Sequence, residues 1–133
     1  MNTWQHVWRE GLAPRLSTVG LHALRRALVS DDDRLLQGET TTPPYLDSLQ
    51  DEAVEAACAL GYCAWHGEGL LTVAQVNAQF ERICWGADLA LKQPSACRVF
   101  LHWFDQTPRK EMRRQLLEEV NRTLDERKAA AAA

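Results

Sequence analysis

No stretch of the sequence is apolar for the roughly 18–20 residues that a membrane-spanning helix requires. The start, Met1-Asn2-Thr3-Trp4-Gln5-His6, lacks the basic residues and apolar run of a secretory signal. A membrane span and export are therefore not expected. Positive charge is not in excess either: 15 Lys and Arg stand against 18 Asp and Glu, a net charge of -3. Such a chain has no basic field to draw in a phosphate backbone, so no nucleic-acid partner is expected. Glycine and proline are sparse, at 7 and 5 in 133 residues, which excludes collagen-like and low-complexity chains. At this length one domain can bury roughly 70 % of its unfolded surface and needs no covalent staples.

Chemistry-bearing motifs are also missing. Neither GxxxxGK[ST] nor GxGxxG occurs, so no loop is marked as a phosphate cradle. No Glu-x-x-His occurs, which removes the di-iron bundle pattern. The four cysteines, Cys58, Cys63, Cys84 and Cys97, include no CxxC pair, so they do not spell a structural zinc site. Without an export signal they are expected as reduced thiols in the cytoplasm.

What the sequence does have is apolar residues at spacings of three and four from one end to the other, and little of the alternation of half-buried strands. The expected fold is all-α: a compact single-domain bundle of about five or six helices over residues 1–128, followed by an alanine tail, 129–133, that extends a helix by propensity alone. A short first helix carries Trp4 and Trp8 one turn apart, capped by Thr3 and ended by Gly11 and Pro14. A second runs from Thr18 to Ser30 on Leu21, Leu24 and Leu28, and Asp31-Asp32-Asp33 stops it. Residues 38–47, with Pro43-Pro44-Tyr45, read as an irregular strap.

Residues 51–65 are expected to form the central, buried helix, because Val54, Ala57, Cys58, Gly61, Tyr62 and Trp65 share a side and Glu55 is the only charge between Ala53 and Trp65. Thr72 with Gln75 reads as a capping box for a helix reaching Lys92. Its core face is Val73, Val76, Phe80, Ile83, Ala87 and Leu91, and Trp85 with Leu89 makes a second apolar stripe that faces another neighbour or a partner. Pro94 and Ser95 begin the next helix. Thr107 and Pro108 begin the last, whose inward stripe is Met112, Leu116, Val120 and Leu124. Its basic residues interleave with Glu111, Glu118, Glu119, Asp125 and Glu126, the pattern of a solvated surface.

Two constellations compete for function. Five tryptophans exceed what a small core needs, and tryptophan is a favoured interface anchor. Trp4, Trp8 and Trp85, with the strap residues Pro43, Pro44 and Tyr45, thus point to a non-catalytic protein-binding module: an adaptor, an accessory subunit or a self-associating protein. The alternative within the same residues is that all five tryptophans fill the core. The second constellation is Cys63 and His66, three apart, with Glu68 beyond, a set able to bind a transition metal or cofactor if Cys84, Cys97 or His102 completes it. Cys63 with His66, or Cys97 with His102, would be the pairs for a cysteine nucleophile, but no oxyanion-type glycine turn accompanies either. Glu55 reads as an ion-paired or exposed carboxylate rather than an acid catalyst. No catalytic motif is present, and neither an enzyme nor a resident cofactor is expected.

Overall fold

The computed structural model describes residues 3–46 and 52–133. Among these are six α-helices and a two-stranded antiparallel ribbon, so the all-α expectation holds. The elements are α1 (Trp4–Val7), α2 (Thr18–Ser30), β1 (Thr41–Thr42), β2 (Ala56–Ala57), α3 (Ala59–Gly67), α4 (Val73–Leu91), α5 (Cys97–Gln106) and α6 (Arg109–Ala132). No helix is long and apolar enough to cross a membrane among the described residues.

The Thr3 hydroxyl accepts from the His6 amide and starts α1. The helix then loosens into a π turn, Trp8–Leu12, and tightens into a 3-10 turn, Ala13–Arg15, where Pro14 cannot supply a donor. Ser17 caps α2 by accepting from Gly20, and Asp31 ends it in the left-handed region at φ 53°. Leu21, Leu24 and Leu28 are fully buried, as their spacing predicts.

α2 and α3 cross on two glycines. A Cβ on Gly67 would meet the Ser17 hydroxyl and would lie 3.0 Å from both the amide nitrogen and the Cα of Gly20. The missing side chain lets the two backbones touch, which is the reason a glycine ends α3.

The central helix is shorter and later than its apolar pattern predicts. It begins at Ala59, not near residue 51, and ends at Gly67. The residues before it are extended because their backbone groups are taken by distant segments. Ala57 donates to Arg34 and accepts from Leu36, Cys58 donates to Thr40, Glu55 to Thr42 and Val54 to Leu71. β1 and β2 pair in the register Thr41 to Ala57 and Thr42 to Ala56, and Leu35 bridges Ala57 in parallel. Helix propensity among alanines is worth tenths of a kcal/mol per residue, and a set of long-range hydrogen bonds overrides it. The part of the strap and helix expectations that rests on 47–51 lies outside the described residues.

From Ala59 onward the prediction of burial holds: Ala59, Leu60, Gly61, Tyr62, Cys63 and Ala64 are all buried, with α2 on one side and α4 on the other. α6 lies across α2 on Met112, Leu116, Val120 and Leu124, all buried. Its start differs in one detail. The Thr107 hydroxyl donates back to the Trp103 carbonyl at 2.6 Å, leaving α6 without a side-chain cap. The alanine tail continues α6 to Ala132.

Candidate interaction face

The tryptophans separate into two populations. Trp4 and Trp8, expected at a partner surface, are buried at 9 % and 0 % exposure, so neither is available for docking. Trp4 stacks on Trp103 with ring centroids 3.6 Å apart and planes 7° from parallel. Trp8 packs on Phe100, and its indole N–H donates to the Thr123 hydroxyl at 3.1 Å. Their one-turn spacing was a core stripe, and the partner face it implied belongs to α5 and α6 of the same chain. Trp65 is half-buried against His66.

Trp85 is different. It is 69 % exposed, and Leu89, one turn further along α4, is 66 % exposed. Both ends of this helix are fixed. At its start the Thr72 hydroxyl accepts from the Gln75 backbone amide, while the side-chain Oε1 of Gln75 accepts from the backbone amides of Leu71 and Thr72. At its end Lys92 turns left-handed at φ 54°, and the Asp88 carboxylate accepts from the amides of Ser95 and Cys97 at 3.0 and 2.8 Å. Val73, Val76, Ile83 and Ala87 anchor the inner side in the core. The outward face is thus a rigid platform, with Ala78, Arg82, Trp85 and Leu89 in sequence along it. A shallow groove lined by Leu70, Ala74, Ala78 and Arg82 runs beside its first half.

Residues 38–42 of the strap pack away from this face. Pro44 and Tyr45 are exposed and Pro43 is half-buried, but β1 and the residues before it lean on α3 and on the Val76 and Phe80 side of α4. Phe80 lies about 140° around the helix from Trp85 at about 100° per residue. The residues grouped as one partner surface by their chemistry therefore fall into a core pair, a strap and a separate helix face.

The metal and nucleophile constellations meet a different environment. Cys63 is buried, and burial pushes its thiol well above the ordinary range, away from the thiolate that binds metals or attacks carbonyls. His66 lies against Trp65 and Tyr62 at centroid distances of 4.3 and 4.4 Å, and its Nε2 is buried with no hydrogen-bond partner among the described residues. Burial, with Arg34 nearby, lowers its pKa from the usual 6.5. Glu68 is exposed at the end of α3. Among the described residues no three His, Cys, Asp or Glu side chains come together as a metal-holding group. The Cys97 thiol has Cys84 as its neighbour, and that contact together with burial raises the Cys84 thiol. His102 is exposed, and so is Glu55.

One buried charge escaped the sequence reading. Glu119, grouped with the solvated acids of α6, is only 7 % exposed and is gripped by Arg9. Its position seven residues after Met112 and next to Val120 places it on the inward edge of α6, and that spacing was the available signal. Compared with protein-family models, curated proteins and solved structures, the chain matches none.

Proposed function

We propose that this chain is a non-catalytic protein-binding module whose partner docks along the outward face of α4. The observation that carries this reading is the exposure of Trp85, at 69 %, beside Leu89 on a helix fixed at both ends. Tryptophan offers a large contact area with few rotatable bonds, and a rigid platform spares a partner the entropy of ordering it. Covering these two side chains would remove on the order of 200 Å² of apolar surface, worth about 5 kcal/mol before the costs of association. The four unpaired, buried thiols support a reducing, cytoplasmic setting. The interleaved charges of α6 speak against a nucleic-acid partner.

The test is site-specific photocrosslinking in the producing cell, with a benzophenone residue in place of Trp85 and, as control, in place of the exposed Lys110. A discrete adduct at position 85 that is missing at position 110 is expected. No adduct at 85, or the same diffuse pattern at both positions, overturns the reading.

A further inference from the structure

The outward face of α4 carries its own complement, and we infer that its partner is a second copy of this chain, packed antiparallel across a two-fold axis. This rests on the reading of α4 as the docking face and adds the identity of the occupant.

At about 100° per residue, Glu81 and Leu89 lie within about 40° of Trp85 around α4, and Lys92 follows the last helical residue as its left-handed cap. Glu81 and Lys92 are both exposed and mark the two ends of the apolar pair, with Trp85 and Leu89 between them. Their backbone positions stand about 16 Å apart along the axis at 1.5 Å per residue. Lys92 makes no ion pair among the described residues, and Glu81 has only a long hydrogen bond, 3.3 Å, from the Asn77 amide.

Antiparallel pairing about a point between Gly86 and Ala87 maps residue 81 onto 92 and residue 85 onto 88. Each Glu81 then meets Lys92 of the other copy, twice per dimer. Each Trp85 falls within about one residue's rise of the opposite Leu89. Parallel pairing would set Glu81 against Glu81 and Lys92 against Lys92, which costs energy. A patch that matches itself under a two-fold rotation is what an isologous interface requires. The other strong candidate, the Cys84 and Cys97 pair at the same helix end, is only 9 % and 7 % exposed.

The contact patch is small, so the dimer should be weak, with a dissociation constant on the order of micromolar to tens of micromolar. Sedimentation equilibrium of the full chain in low salt measures it. Glu81→Lys and Lys92→Glu should each weaken the dimer roughly tenfold, since each replaces two attractions by two repulsions. Glu81→Lys with Lys92→Glu in one chain restores both attractions and should recover dimerisation to within about threefold of the native value. Trp85→Ala should leave monomer, and Lys110→Glu should change nothing. All four positions are exposed, so circular dichroism and the thermal midpoint should stay near native and exclude unfolding as the cause. A native chain that stays monomeric at about 100 µM, well above the expected constant, overturns the proposal. So does a double charge reversal no better than the singles. A photo-adduct at position 85 of twice the chain's mass supports both readings. An adduct with a different protein and a monomeric native chain would sink this inference alone, and no adduct would sink both.

Discussion

Arg9 and Glu119 hold each other through two parallel hydrogen bonds, Nε to Oε1 and Nη2 to Oε2, each 2.8 Å long. The pair ties the π turn after α1 to the middle of α6, and the carboxylate is buried while the guanidinium reaches solvent. A forked pair of this geometry is among the stronger polar contacts a protein makes.

Removing the guanidinium leaves a carboxylate in a nearly closed site. Arg9→Ala should therefore lower stability by about 1–3 kcal/mol, and Glu119→Ala by a similar or smaller amount because the released arginine can turn to water. Urea unfolding of both single variants and the double variant checks this. The double variant should be less destabilised than the sum of the singles. Additive losses would mean that the two groups do not act as a pair.

The stacked indoles of Trp4 and Trp103 make a second prediction. Trp4→Ala should cost about 3 kcal/mol, the usual range for deleting a buried aromatic. It should also alter the near-ultraviolet circular dichroism, to which stacked indoles contribute strongly. Self-association should be unchanged where the native fold persists. A variant that kept full stability but lost its partner would return Trp4 to the surface.

The stability of the fold should fall in two acid steps. His66 has a folded pKa below its ordinary 6.5, through burial. Its contribution is complete above about pH 6.5 and is lost as the pH drops toward the folded value, because the unfolded chain takes up the proton first. Asp32 is held at about 2, below its usual 3.8, chiefly by the hydrogen bonds from Arg34. Its contribution is complete above about pH 3.8 and is lost between there and about 2. Thermal midpoints at closely spaced pH values should show the first step, and His66→Phe should flatten it. A midpoint that rises on acidification from pH 7 to 5 contradicts the assignment.

The glycine crossing between α2 and α3 should tolerate no side chain. Gly67→Ala places a methyl against the Ser17 hydroxyl and the Gly20 backbone. With no flexible neighbour able to yield fully, a loss of about 2–3 kcal/mol is expected. Gly38→Ala, where a Cβ would meet nothing within 4 Å, should cost only the strain of φ +88°, about 1 kcal/mol. Equal effects at the two sites would show that conformation rather than contact governs Gly67.

These residues also show where sequence reading succeeds. α2, α4 and α6 were legible because their signals are local: Asp31-Asp32-Asp33 after the first, Thr72 with Gln75 before the second, Pro108 before the third, and apolar residues every three or four positions along each. Residues 53–58 were not legible. Their apolar side chains fit a helical stripe that continues into α3, but their extended form is imposed by carbonyls of Arg34, Thr40, Thr42 and Leu71 that lie far away in sequence. The tryptophans fail for the same reason. Trp4 and Trp85 both sit on amphipathic turns, and only the presence of Trp103 against the first separates a core residue from an exposed one. The exposed stripe of Trp85 and Leu89 could be read because it lies outside the arc of α4's core residues.

Three polar contacts tie the first turns of the chain to its last helix: Trp8 to Thr123, Arg9 to Glu119, and the Ala13 carbonyl to Arg127. During synthesis Trp8, Arg9 and Ala13 therefore emerge more than a hundred positions ahead of these three partners. Until α5 and α6 leave the ribosome, Trp8 lacks Phe100 and Thr123, and the nascent chain carries it as a partly uncovered apolar surface. Order at the N-terminal end is thus a late event, and premature termination before Glu119 would yield a chain whose beginning, not only its end, stays open to proteases and chaperones.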